Sequence, residues 1–185
     1  MATQISLTRT IQSPRGEVTI RPTREDDAPA YRELRLLGLQ DHPEVFGADY
    51  ETSSARPIEF WQERMRTGSG GEHGVTYVAE AASELIGMTT LVRNDMPKTR
   101  HAGSIFGVYT RPDWRGTGVA DALLEACAAY ASARGLRLVR LGVVTTNAGA
   151  IRLYLRCGFS VYGVEPESIQ HGGVYYDELL MARRV

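Results

Sequence analysis

One stretch of the chain is suited to holding an anion: Thr110-Arg111-Pro112-Asp113-Trp114-Arg115-Gly116-Thr117-Gly118-Val119-Ala120. It leads from an apolar, β-prone run, Ser104 to Thr110, into residues 119–133. There Ala120, Leu123, Leu124, Cys127, Tyr130 and Ala131 recur at helical spacing. A helix start leaves its first backbone N–H groups unpaired and carries about half a positive charge. An anion placed there collects several hydrogen bonds at once. Gly116 and Gly118 remove the side chains that would keep a phosphate off the backbone, and Arg115 adds a permanent charge in a fork that matches phosphate oxygens. The expected chemistry is recognition of a diphosphate.

Two common phosphate loops do not fit. A P-loop needs a Lys after its glycines, and none follows here. A dinucleotide loop needs a third glycine where Asp121 stands, and an acidic residue on the next strand, whereas Leu138 to Thr146 has none.

A second segment lies about thirty residues on: Asn147-Ala-Gly-Ala150-Ile-Arg-Leu-Tyr154-Leu-Arg-Cys-Gly158-Phe159. Asn147 is a good N-cap, and Tyr154 lies two helical turns beyond it. Ile151, Tyr154 and Leu155 are expected on one face, and Gly158 to stop the helix before Phe159 enters a strand.

Together the two segments resemble the Gcn5-related N-acetyltransferase (GNAT) superfamily. Arg115-Gly-Thr-Gly-Val-Ala120 is similar to its Arg/Gln-x-x-Gly-x-Gly/Ala loop, and residues 147–159 to its Asn-x-x-Ala-x-x-Leu-Tyr-x-x-x-Gly-Phe pattern. The motifs cover 104–159, and the architecture 17–181. The resemblance implies a central, mostly antiparallel α/β sheet of six to seven strands. It would splay between two parallel strands, with helices on both faces. It implies acetyl-coenzyme A as cosubstrate, with no metal, and an amine acceptor as the other partner. The diphosphate would lie on Arg115, Gly116, Thr117, Gly118, Val119 and Ala120. The pantetheine would lie along Val108, Tyr109 and Thr110, pairing with the backbone of Val108 and Thr110, with Asn147 on its other side. Amides of that strand would also stabilise the developing oxyanion. Tyr154 would protonate the departing thiolate. A homodimer is common among such proteins.

Direct transfer needs a neutral amine. A lysine-like amine has a pKa of about 10.4, so roughly one molecule in 10³ is neutral at pH 7, a cost of about 4–5 kcal/mol. A base must therefore take a proton. In relatives that acetylate protein N-termini, a Glu stands five residues before the signature Asn; here that position is Gly142. The departure argues against that substrate class and leaves open a rival reading, a non-catalytic acyl-coenzyme A-binding module of the same fold. Glu80, Glu51, His101 and Tyr109 are the candidate replacement bases. Glu165, Glu167, Asp177 and Glu178, with Asp41, Glu44 and Glu51, are candidates to line an acceptor site for a cationic amine. Cys127 and Cys157 have no neighbouring His and read as packing residues.

These residues need a scaffold, and the chain supplies one. Its 185 residues suit one domain, with a hydrophobic fraction of 43% and a charged fraction of 23%. Residues 1–16 read as an arm or extra edge element ending at Pro14-Arg15-Gly16, and residues 17–185 as the acetyltransferase domain. Glu17 to Arg21 reads as a strand, and Thr23 as the cap of a helix carrying Tyr31, Leu34, Leu37 and Gly38. A loop to Ser54 and a short helix with Phe60, Trp61 and Met65 follow. Next comes a hairpin, 75–80 with 85–93, joined near Ala82-Ser83. Leu138 to Thr146, Phe159 to Val164 and Val174 to Met181 complete the strands. The formal net charge of −1 disfavours a nucleic-acid partner, no apolar run reaches spanning length, and Met1 to Thr10 carries no apolar region of the kind a signal peptide needs. A cytoplasmic protein with reduced thiols is expected.

Overall fold

The structure, a computed structural model, describes residues 7–185. The sheet is built from β1 (Arg9–Ser13), β2 (Gly16–Pro22), β3 (Gly74–Ala81), β4 (Glu84–Arg93), β5 (Ala102–Thr110), β6 (Leu138–Val144), β7 (Ser160–His171) and β8 (Val174–Arg184). The helices are α1 (Ala28–Asp41), α2 (Tyr50–Ser54), α3 (Ile58–Thr67), α4 (Val119–Ala133) and α5 (Ala148–Arg156). All eight strands form one sheet in the order β1-β2-β3-β4-β5-β6-β8-β7. This exceeds the expected six to seven because residues 9–13 fold back on β2, with Ser13 Oγ donating to Gly16 O across the turn. The first six residues of the expected N-terminal arm lie outside the described residues.

Every neighbouring pair is antiparallel except β5 and β6. Those two are parallel and pair only at Ala102↔Leu138, Gly103↔Val139 and Ser104↔Arg140, after which they diverge. The divergence follows from their other neighbours. A bulge between Met88 and Thr90 bends the β4–β5 ladder, while β6 follows β8 out to Val144↔Glu178. The result is a wedge-shaped opening beside Ile105–Thr110 with unpaired backbone on one side.

β7 and the start of β8 stay largely exposed, while helices cover both faces of the central strands. On one, α4 buries Val119, Leu123, Leu124, Cys127, Tyr130 and Ala131 against Val18, Ile20, Val75, Tyr77 and Val139. On the other, Tyr31 and Leu34 of α1 meet Trp61 and Met65 of α3 over Val78, Met88 and Tyr109. The α4 stripe needs one side chain every three to four residues, as its sequence provides. Gly135, at φ +73°, then ends it by letting Leu136 N–H reach back to Ala131 O. The β3–β4 turn places Ala82 and Ser83 both at positive φ, the two-residue geometry that suits twisted hairpins.

Some local expectations change. Thr23 does not cap α1; it is buried and donates Oγ1 to Met65 O at 3.2 Å. The chain turns instead through a 3-10 segment at Glu25–Asp27, where Asp27 accepts from Arg24 N–H at 2.7 Å. The segment read as a loop before Ser54 contains a 3-10 turn at Pro43–Val45 and the short helix α2. The residues left between the two expected strands that end at Val164 and begin at Val174 are mostly strand. β7 runs to His171 with a bulge between Glu165 and Ile169, where Glu167 takes φ +52° and donates its N–H to Asp177 Oδ1.

Candidate active site

The wedge between β5 and β6 opens into two adjoining cavities of about 890 and 430 Å³. They share Val45, Phe46, Val108, Asn147, Ala150 and Tyr154.

The larger cavity ends on the glycine loop. Gly116 and Gly118 adopt φ +74° and +88°, and a Cβ at either would meet no atom within 4 Å, so their open side faces empty space. None of the N–H groups from Gly116 through Asp121 has an acceptor among the described residues. Six consecutive free donors at the start of a fifteen-residue helix form a concave cradle for an anion. The loop is braced from behind: Thr117 Oγ1 donates to Trp114 O at 2.6 Å, and the Val119 side chain is fully buried in the core. Thr117 and Val119 therefore offer backbone rather than side chain. Arg115 does not hang free. Its Nε donates to Thr110 O at 3.3 Å, and its Nη2 lies 3.1 Å from His42 Nε2 and 3.5 Å from Asp41 Oδ2. It stands at the cavity rim with a side chain still 45% exposed.

Val108, Tyr109 and Thr110 line the same cavity along the unpaired edge of β5. The Tyr109 hydroxyl donates to Asp41 Oδ2 at 2.6 Å. Burial and that carboxylate both push its pKa upward, so Tyr109 stays protonated and is no base. Asn147 caps α5, with Oδ1 accepting from Ala150 N–H at 3.1 Å, which leaves its amide nitrogen free to donate. Tyr154 is buried, with its ring edge-on to Phe159 at 6.1 Å. Burial raises its pKa first, with Cys157 and Glu178 adding to the effect, so the phenol keeps its proton. The buried face of α5 carries Ala150, Ile151, Tyr154 and Cys157. Leu155, expected beside Tyr154, is 52% exposed and stays outside the core cluster.

The other candidate bases lie elsewhere. Glu80 is held by Arg21 Nε at 2.7 Å, within a buried cluster in which Arg21 also makes a bidentate pair with Asp27. His101 precedes β5 at the closed end of the wedge, and Glu51 sits on the exposed side of α2; neither lines either of these two cavities. The sequence reading missed the arrangement at Gly142. A Cβ there would come within 2.9 Å of Glu178 Oε2 and 3.0 Å of Glu178 Cδ. The carboxylate absent from β6 is thus supplied diagonally by β8, since Val144 pairs with Glu178 and Gly142 with Leu180. Glu178 accepts from Ser168 Oγ at 2.7 Å, which the β7 bulge brings across. Of the acidic residues proposed for an acceptor site, Glu178 alone lines either of these two cavities. Trp114, Arg152 and Arg156 also line the larger cavity; Arg156 is paired to Asp121 at 2.7 and 3.1 Å, and Arg152 has no such partner among the described residues.

A sheet that splits between its parallel strands, with a free-amide loop at one end of the gap, defines a class. The profile of the acetyltransferase (GNAT) family matches residues 31–159, and the chain belongs to that family and is an N-acyltransferase. The L-amino acid N-acetyltransferase AaaT of Escherichia coli is 28% identical over 174 residues, covering 91% of this chain and 98% of its own. The L-methionine sulfoximine/L-methionine sulfone acetyltransferase of Pseudomonas aeruginosa is 31% identical over 163 residues, covering 80% and 91%. Among solved structures, yncA of Salmonella typhimurium, solved with its cofactor acetyl-CoA, superposes with a TM-score of 0.73 at 20% identity, covering 90% and 93% of the two chains.

Proposed function

We propose that the protein transfers an acetyl group from acetyl-CoA to a primary amine by direct attack within a ternary complex. The observation that carries this is the run of unpaired N–H groups from Gly116 to Asp121, which faces a cavity continuous with the splayed edge of β5. That cradle suits the diphosphate. The open edge at Val108 and Thr110 suits the amides of the pantetheine arm, which would add to the sheet as a short strand. Asn147 would donate its amide to the same arm, and Tyr154 would give its proton to the departing sulfur. The solved relative that holds acetyl-CoA, and the relatives named for amino-acid acetylation, support both substrates.

A covalent acyl-cysteine route is disfavoured by the thiols themselves. Burial pushes Cys127 up to about 12 and Cys157 up to about 11, so neither is a thiolate at neutral pH. Calorimetry with coenzyme A, followed by thiol release from acetyl-CoA with a panel of amines, tests the proposal. Binding plus amine-dependent thiol release is the expected result. No heat at millimolar coenzyme A would end it, and tight binding without release would favour a non-catalytic binding module.

A further inference from the structure

The smaller cavity contains one cation and one anion, each set on a glycine. Arg35 of α1 lies over β5: a Cβ at Gly107 would come 3.5 Å from its Nη1. Glu178 of β8 lies over β6 at Gly142. The two glycines flank the splay, and both charged side chains line the cavity. Arg35 and Arg64 are the two described arginines with a buried nitrogen that has no hydrogen-bond partner, and of these this cavity is lined by Arg35. Its Nη1 is buried with no hydrogen-bond partner, and no carboxylate pairs with it among the described residues. Its guanidinium stacks on Phe46 at 4.6 Å, and burial, with Arg64 nearby, works against its charge. A desolvated cation left without an acceptor is costly, and an arriving carboxylate would supply two. Glu178, by contrast, has one hydroxyl donor and no cationic partner among the described residues.

We propose that this cavity takes a free α-amino acid, with Arg35 holding its carboxylate and Glu178 receiving a proton from its α-ammonium. The proposal rests on the acetyl-transfer reading above and names its acceptor. The separated charges match the two ends of a zwitterion, and the walls at Val45, Phe46 and Ile169 favour an apolar side chain. Glu178 takes one proton from the ammonium. The freed nitrogen lone pair then forms the C–N bond at the thioester carbonyl carbon. The C–S bond breaks, the thiolate takes the Tyr154 proton, and the nitrogen's second proton restores the phenol. N-acetyl amino acid and free coenzyme A leave, and Glu178 returns its proton to water.

The test needs no variant at first. L-methionine, L-leucine and L-phenylalanine are compared with L-methioninol, L-leucinol and L-phenylalaninol, which keep the α-amine and replace the carboxylate by hydroxymethyl. With saturating acetyl-CoA, kcat/KM for the best amino acid should exceed that of its alcohol by on the order of a hundredfold, mostly in KM. Arg35→Met should bring this ratio near one, and Arg35→Lys should retain part of it. Glu178→Gln should lower kcat by on the order of a hundredfold for acid and alcohol alike, with Glu178→Asp between. Coenzyme A calorimetry should be unchanged in every variant, and none should melt below the unmodified protein, with Arg35→Met melting higher because it removes an unpartnered buried cation. Equal rates for acid and alcohol in the unmodified protein, or a ratio that survives Arg35→Met, would overturn the carboxylate assignment. An unchanged kcat in Glu178→Gln would overturn the base. In those cases acetyl transfer still stands, whereas absent coenzyme A binding removes both readings together.

Discussion

The two cavities meet at Tyr154 yet are built from different materials. The larger is made mainly of backbone: free N–H groups at 116–121, positive-φ glycines and an unpaired strand edge. The smaller takes its polar character from side chains on α1, β7 and β8, elements far apart in the chain. Backbone recognition depends on local conformation, so a short motif specifies it. Side-chain recognition depends on packing between distant elements, so it can change while the fold persists.

The contrast can be broken or sharpened experimentally, with the largest effect expected in the frame that carries α1. Arg21, Asp27 and Glu80 tie β2 and β3 to the turn before that helix. Removing Asp27 leaves a buried Arg21 with half its partners, so Asp27→Ala should cost about 3–5 kcal/mol in a denaturation curve. Burial alone would raise the Asp27 pKa, but hydrogen bonds from Arg21 and the Arg24 N–H hold it below the ordinary carboxylate range. Its contribution is therefore complete above about pH 4 and is lost as the pH falls through the lower folded value. The melting temperature should fall through that window, and less steeply in Asp27→Asn.

Next in size is Tyr154→Phe, where kcat should fall on the order of a hundredfold while coenzyme A affinity stays within about threefold. An unchanged kcat would remove the acid role and with it the join between the two cavities. Gly118→Ala comes third. A side chain at φ +88° costs about 1–2 kcal/mol of backbone energy and its methyl intrudes where the anion would lie, so KM for acetyl-CoA should rise at least about tenfold. Acceptor KM should not move; if it did, the two cavities would not be separable. Gly142→Ala acts on the other side. Its methyl must displace the Glu178 carboxylate, so acceptor kcat/KM should drop by about tenfold with coenzyme A binding intact. Least is expected of Arg152→Ala. An exposed charge at the rim of the larger cavity should change coenzyme A affinity by less than about fivefold, and less still in high salt.

The same contrast explains what could be read from the sequence. The α4 boundaries, the Asn147 cap, the hairpin at Ala82-Ser83 and the glycine loop all follow from spacing and turn chemistry within a dozen residues. The acceptor cavity was largely hidden. Gly142 could be seen as a missing carboxylate, but the replacement comes from a strand thirty-six residues later, through a diagonal across the β6–β8 ladder. The only sequence hint was the Asp177-Glu178 pair, and periodicity did not choose between them; in the structure Asp177 turns to the β7 backbone and Glu178 to the cavity. Arg35 carried no signal, because an arginine on an amphipathic helix normally points to water. The expected strand stops at Val164 because Pro166 and Glu167 interrupt alternation, although the strand resumes beyond them.

The state of the two cysteines has a practical consequence. With both sulfurs protonated at working pH, and Cys127 sealed from solvent, chromogenic disulfide reagents should find little to attack on the folded protein. Colour developing in a turnover mixture would then count released carrier almost alone, and handling in air should leave the chain chemically intact.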